Sequence, residues 1–226
     1  MMIKNKIFVA CDSTNISKIR KIIKDTKTPK LKIGYKFGLE FLNSKNGRNF
    51  VSKLKKEIIF ADFKLNDIPN TCVSAIKAIK DLKVNYLTIH ISSGLAALKA
   101  AKKASGSTRL VGVSVLTSLD NRALKEIGFN KDVKRLVLQQ ARLASKAKLD
   151  AIVCSAQEVK IVKKVFKKEI ITPGIRFSLK KNDQKRVLTP KQAYKNGADW
   201  LVIGRNITAR GKIKKNIQNL IEHLNQ

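Results

Sequence analysis

Short runs of β-branched and aromatic residues alternate along this chain with longer stretches in which apolar residues recur every three or four positions. The first pattern fits strands and the second amphipathic helices, so their alternation points to βα units around a parallel sheet. The runs predict strands over 7–12, 31–34, 58–64, 86–91, 110–116, 151–155, 170–173 and 200–204. Helical spacing, with lysine on the opposite face, predicts helices over 16–25, 71–82, 95–104, 133–146, 158–166 and 213–224. Eight strand runs with no linker or low-complexity insert between them fit a closed (β/α)8 barrel of the TIM type better than an open doubly wound sheet. The expectation is an α/β protein with one domain spanning residues 1–226.

Composition narrows the class. At 226 residues and 43% hydrophobic, the chain can bury a barrel-sized core. It has no apolar run long enough to span a bilayer, and its first residues reach Asp12 without the apolar core of a signal peptide, so a cytoplasmic protein is expected. Cys11, Cys72 and Cys154 are scattered among apolar neighbours, which predicts buried thiols rather than disulfides or a metal knuckle. Only His90 and His223 are present, which argues against a histidine-built metal site. The formal charge of +32 raises the question of nucleic acid. Lysine recurs in nearly every predicted helix with few aromatics between, the pattern of a solvated surface rather than a stacking platform. No specific nucleic-acid partner and no membrane partner are expected, although such a surface helps steer anionic ligands.

In barrels of this kind the chemistry lies where strands end and βα loops begin. The polar residues there are Asp12, Lys32, Asp62, Lys64, Asp67, Ser92, Ser93, Thr117, Ser118, Ser155, Arg176 and Arg205. The most informative stretch is Phe60-Ala61-Asp62-Phe63-Lys64-Leu65-Asn66-Asp67-Ile68-Pro69-Asn70-Thr71. A period of two puts Asp62 and Lys64 on one side of their strand. A purely structural ion pair is the competing reading, but desolvation costs several kcal/mol per ion and disfavours one inside an apolar strand. Lys32, in the segment that ends at Gly34, is expected to bring its ammonium beside Asp62, giving an array of Lys32, Asp62, Lys64 and Asp67. In so lysine-rich a chain the alternative for Lys32 is a surface position.

Two further loops suggest phosphate. Thr172-Pro173-Gly174-Ile175-Arg176 closes the seventh strand, and Val202-Ile203-Gly204-Arg205 closes the eighth. Barrel phosphates commonly sit there, held by backbone N–H groups and a guanidinium. The polar segment 177–188, with Asp183-Gln184-Lys185-Arg186, is long enough to act as a lid. His90, Trp200, Cys11 and Cys154 are most simply core residues.

Taken together these residues resemble the orotidine 5'-phosphate decarboxylase family over nearly the whole chain. Asp62-Phe63-Lys64-Leu65-Asn66-Asp67-Ile68-Pro69-Asn70-Thr71 is similar to its D-x-K-x-x-D-I-P-N-T signature. Asp12, Lys32 in Lys-Ile-Gly, Val115-Leu116-Thr117-Ser118, Val153-Cys154-Ser155-Ala156-Gln157-Glu158, Pro173-Gly174-Ile175-Arg176, Asp183-Gln184 with Arg186, and Val202-Ile203-Gly204-Arg205 follow in the expected order. The resemblance implies cofactor-free, metal-free decarboxylation of orotidine 5'-phosphate to UMP. Lys64 would protonate C6, Asp62 would face the leaving carboxylate, and Lys32 and Asp12 would contact the ribose. Thr117 and Ser118 would meet the pyrimidine, Gln184 would bridge base and phosphate, and Arg176, Gly204 and Arg205 would surround the phosphate. It also implies a homodimer in which Asp67 and Thr71 reach the partner's site. Ile89-His90-Ile91-Ser92-Ser93-Gly94 is bulkier than the family's segment, and Asn182 replaces a frequent glycine. Related Mg2+-dependent sugar-phosphate barrels share the D-x-K-x-x-D core but carry an acidic residue at the Lys32 position and lack I-P-N-T.

Overall fold

The computed structural model describes residues 5–176 and 188–225. Its eight parallel strands are β1 (Lys6–Ala10), β2 (Lys32–Phe37), β3 (Ile58–Leu65), β4 (Tyr86–His90), β5 (Arg109–Val113), β6 (Ala151–Val153), β7 (Glu169–Thr172) and β8 (Trp200–Ile203). They pair in sequence order, and β1 pairs with both β2 and β8, closing the barrel. The expected α/β class and (β/α)8 barrel are therefore the observed fold.

Two apolar layers hold it. Inside the strand ring, Phe8, Phe60, Tyr86, Val111, Ala151, Ile171 and Trp200 fill the barrel, with Phe8 stacked on Trp200 at a centroid distance of 4.1 Å. Outside, strand residues such as Ile7, Ile59, Leu87 and Leu110 meet the inner faces of the helices. The N-terminal end of the barrel is tied by Glu169, which accepts from the Tyr86 hydroxyl at 2.9 Å, the Trp200 indole N–H at 3.2 Å and Arg109 at 3.2 Å. A partly buried polar cluster that joins four strands favours one arrangement of β4, β5, β7 and β8.

Gly34 does not end the second strand, as its place after Lys-Ile suggested. It lies inside β2, where a Cβ would come within 2.6 Å of the Phe8 ring, and its side-chain-free backbone is what lets that ring occupy the barrel axis. The strand continues through Tyr35, Lys36 and Phe37. Other boundaries shift by up to four residues, and the expected 110–116 strand ends at Val113. The expected 71–82 helix is Pro69–Ala78 followed by a 3-10 turn over Lys80–Leu82, with Pro69 at the first helical position, where a missing N–H costs nothing. Short helices at Leu39–Leu42, Gly47–Ser52, Asn121–Glu126, Pro190–Asn196 and Arg205–Thr208 add to those expected; most are too brief to show a full apolar stripe. Cys11, Cys72 and Cys154 are buried free thiols. Among the described residues no helix is long and apolar enough to cross a membrane.

Candidate active site

A cavity of about 280 Å³ opens among the C-terminal strand ends. Its walls bring together Asp12 after β1, Lys36 of β2, Asp62 and Lys64 of β3, Thr117 after β5, Gly174 and Arg176 after β7, and Gly204 and Arg205 after β8.

The floor of the site is built on Asp62, only 8% exposed. One carboxylate oxygen, Oδ2, accepts from Lys64 Nζ at 2.8 Å and lies 3.4 Å from Lys36 Nζ. The other, Oδ1, accepts from the Thr88 hydroxyl at 3.1 Å. Lys36 also reaches Asp12 at 3.5 Å, so the array reads Asp12, Lys36, Asp62, Lys64 across three adjacent strands. Burial pushes the Asp62 carboxyl up, but the Lys36 and Lys64 ammonium groups and the bonds from Lys64 and Thr88 outweigh it and hold the group below the ordinary carboxylate range. Burial pulls Lys36 down, yet Asp62 and Asp12 outweigh it and leave its ammonium more basic than usual. His90, at the end of β4, is kept below the ordinary histidine value by burial and by Lys64, against the pull of Asp62.

Simple strand alternation is not what brings Asp62 and Lys64 together. Ala61 pairs with Leu87 and Leu65 with Ile89, so Asp62, Phe63 and Lys64 bulge opposite Thr88 alone. Lys64 sits in the left-handed region at φ 51°. A non-glycine residue there costs of order 1–3 kcal/mol and persists only where its surroundings enforce it. The Lys64 backbone N–H donates to the Thr88 hydroxyl oxygen of the neighbouring strand at 2.7 Å.

Lys32 has to be replaced in the array. It opens β2 rather than closing it, is exposed, and pairs in register with Lys6 at the far end of β1. There it borders an opening with Asn85, Arg109 and Trp200. Four residues further on, roughly 13 Å along an extended strand, Lys36 takes the place expected of Lys32. The signal was present: Lys36 shares the inward parity of Gly34, while Ile33, Tyr35 and Phe37 alternate with it. Thr88 was also missed, although it is the one aliphatic hydroxyl in the apolar run of β4.

Among the other expected residues, Thr117 lines the cavity, whereas Ser118 is exposed and does not. Asp67 and Thr71 are exposed on the segment after β3 and lie outside the cavity of their own chain. Asp67 Oδ1 accepts the Ile68 N–H at 2.7 Å, fixing the turn that carries it outward. Gly174, at φ 77°, allows the β7 loop to turn toward Gly204. Gly204 lines the cavity beside Ala10 and Asp12; a Cβ there would stand 3.4 Å from the Ala10 Cβ and 3.7 Å from an Asp12 oxygen, ordinary contact distances. Gln184 and Asn182, with the rest of 177–187 in the segment expected to act as a lid, lie outside the described residues.

A closed barrel with a buried lysine–aspartate array and two arginine-bearing loops at its C-terminal mouth defines the class as a (β/α)8-barrel enzyme. Residues 5–220 match the model described as the orotidine 5'-phosphate decarboxylase / HUMPS family. The chain is 42% identical over 211 residues to the orotidine 5'-phosphate decarboxylase of Wolbachia sp. subsp. Brugia malayi, covering 90% of this chain and 92% of that one. It is 40% identical over 217 residues to the orotidine 5'-phosphate decarboxylase of Coxiella burnetii, covering 90% and 89%. The crystal structure of orotidine 5'-phosphate decarboxylase from Lactobacillus acidophilus matches at a TM-score of 0.81 and 29% identity, covering 99% of this chain and 100% of that one. The chain belongs to the orotidine 5'-phosphate decarboxylase / HUMPS family.

The exchange of Lys32 for Lys36 is directly testable in the reaction for which the family is named. Lys36→Ala should lower turnover of orotidine 5'-phosphate by about 100-fold or more, as loss of one preorganised charge typically does. Lys32→Ala, at an exposed site away from the chemistry, should stay within about twofold of wild type. Steady-state kinetics on the two variants decides it; a loss confined to Lys32→Ala reverses the assignment.

Proposed function

We propose that this chain decarboxylates orotidine 5'-phosphate to UMP and carbon dioxide by direct loss of the carboxylate, with no cofactor. The observation that carries the mechanism is the Lys64 ammonium held 2.8 Å from the Asp62 carboxylate inside a cavity whose far side carries Gly204, Arg205 and Arg176. A phosphate set against the Gly204 backbone and the two guanidinium groups places the ribose near Asp12 and Lys36 and the pyrimidine toward Thr117 and the strand floor. Its carboxylate then meets Asp62. Two carboxylates at contact distance repel, while Lys64 stands ready to replace the departing charge. The C6–carboxylate bond breaks with its electron pair left on C6. The Lys64 ammonium stabilises that carbanion and transfers one proton to it, and the neutral amine regains a proton from solvent. Catalysis is thus the exchange of one anion for another beside charges already in place, with little reorganisation.

Asp67 and Thr71 belong to the partner's site in a homodimer. Their exposure and their position outside their own cavity support this, as does the apolar rim that Leu39 and Ile68 leave exposed at 47% and 67% after the adjacent strands β2 and β3. Under two-fold symmetry each chain lends and borrows the same residues.

Loss of orotidine 5'-phosphate absorbance with purified protein, with and without EDTA, tests the activity and its independence of metal together. Lys64→Ala should abolish turnover while UMP affinity, measured calorimetrically, changes by less than about fivefold, because only a transition-state contact is removed. Turnover within about tenfold of wild type removes Lys64 from the proton-transfer step.

Asp67→Ala should be inactive as well, and mixing it with Lys64→Ala tests the shared site. Free subunit exchange gives mixed dimers that hold one doubly damaged site and one intact site, so activity should recover to about a quarter of wild type. A mixture that stays inactive after mass spectrometry confirms exchange places Asp67 in its own chain's site.

A further inference from the structure

The bulge in β3 leaves two polar groups that need a partner from outside the strand. Lys64, in its left-handed conformation, turns its backbone N–H out of the regular ladder, and Asp62 has one carboxylate oxygen that neither lysine satisfies. Both meet Thr88, the single β4 residue opposite the bulge, which is fully buried. Its oxygen accepts from Lys64 N at 2.7 Å and its one proton goes to Asp62 Oδ1 at 3.1 Å. A hydroxyl is the smallest group that both accepts and donates, and β-branching restricts its rotamer. We propose that Thr88 is a positioning residue for the decarboxylation, a buried clamp that sets the backbone of the proton donor and the orientation of the carboxylate against which it works.

Two consequences separate this from ordinary core packing. First, Thr88 acts on both members of the reacting pair and stands away from the phosphate loops after β7 and β8. Its loss should therefore appear in kcat and not in ligand affinity. Secondly, the function resides in the hydroxyl and not in the side-chain volume. Valine fills the same space but leaves Lys64 N–H and Asp62 Oδ1 without a partner, whereas serine restores both bonds with a methyl fewer.

The inference rests on the decarboxylase reading, so wild type is assayed beside the variants. Turnover of orotidine 5'-phosphate by wild type establishes the reading; its absence defeats the reading before Thr88 is judged. Thr88→Val should then lower kcat by about 10- to 100-fold, the scale of a small misplacement of reacting groups. Its KM and its UMP dissociation constant should move by less than about threefold. Thr88→Ser should recover kcat to within about threefold of wild type, although it is the variant that loses packing volume. Three results overturn the proposal: a Thr88→Val kcat within about twofold of wild type, a Thr88→Ser loss as deep as that of valine, or a fall in kcat matched by an equal loss of UMP affinity.

Discussion

An ionised carboxylate buried at the barrel mouth is the constraint from which the rest of the site follows. Removing a carboxylate from water costs several kcal/mol unless charge and hydrogen bonds replace what the solvent supplied. For Asp62 the replacement comes from three directions: Lys64 on its own strand, Lys36 from β2 and the Thr88 hydroxyl from β4. Lys36 and Lys64 are inward-facing and partly buried and Thr88 is fully buried, so each gains from the carboxylate that it helps to hold. The interdependence makes the arrangement cooperative, and the same low-dielectric surroundings make its field on a bound substrate strong. The closed barrel matters because it sets three adjacent strand ends at fixed spacing, which no loop could match.

The other end of the barrel has the opposite task. Glu169 joins Tyr86, Arg109 and Trp200, and stacked aromatic rings fill the axis beneath the site. That plug involves none of the charged groups of the site, so its packing helps to offset the strained Lys64 backbone and the buried ion array at the mouth. The large positive charge lies mostly on exposed lysines, where it attracts anions at long range.

Strand periodicity and the order of strand-end motifs made the barrel and most of the site legible in the sequence. Asp12, Asp62, Lys64, Thr117, Arg176, Gly204 and Arg205 all line one cavity as their positions implied. Lys32 failed for a specific reason. Gly34 reads as a strand end by propensity, but its role is steric: it makes room for Phe8, and the strand runs on to Lys36. Thr88 was hidden because its importance depends on a bulge in the neighbouring strand, and local sequence does not reveal how two strands shift register. For Asp67 and Thr71 the expectation rested on the motif and on the turn that carries Asp67 outward, and nothing within a single chain states what they face.

The claim that Asp62 organises the reaction is tested most directly by the kinetics of Asp62→Asn, which keeps the shape and removes the charge. With the fold verified by circular dichroism, kcat for orotidine 5'-phosphate should fall by about 100-fold or more, while UMP, which has no carboxylate to face the position, binds within a few-fold of wild type. A kcat within about tenfold of the wild-type value would show that the buried charge is not what the active site is built around.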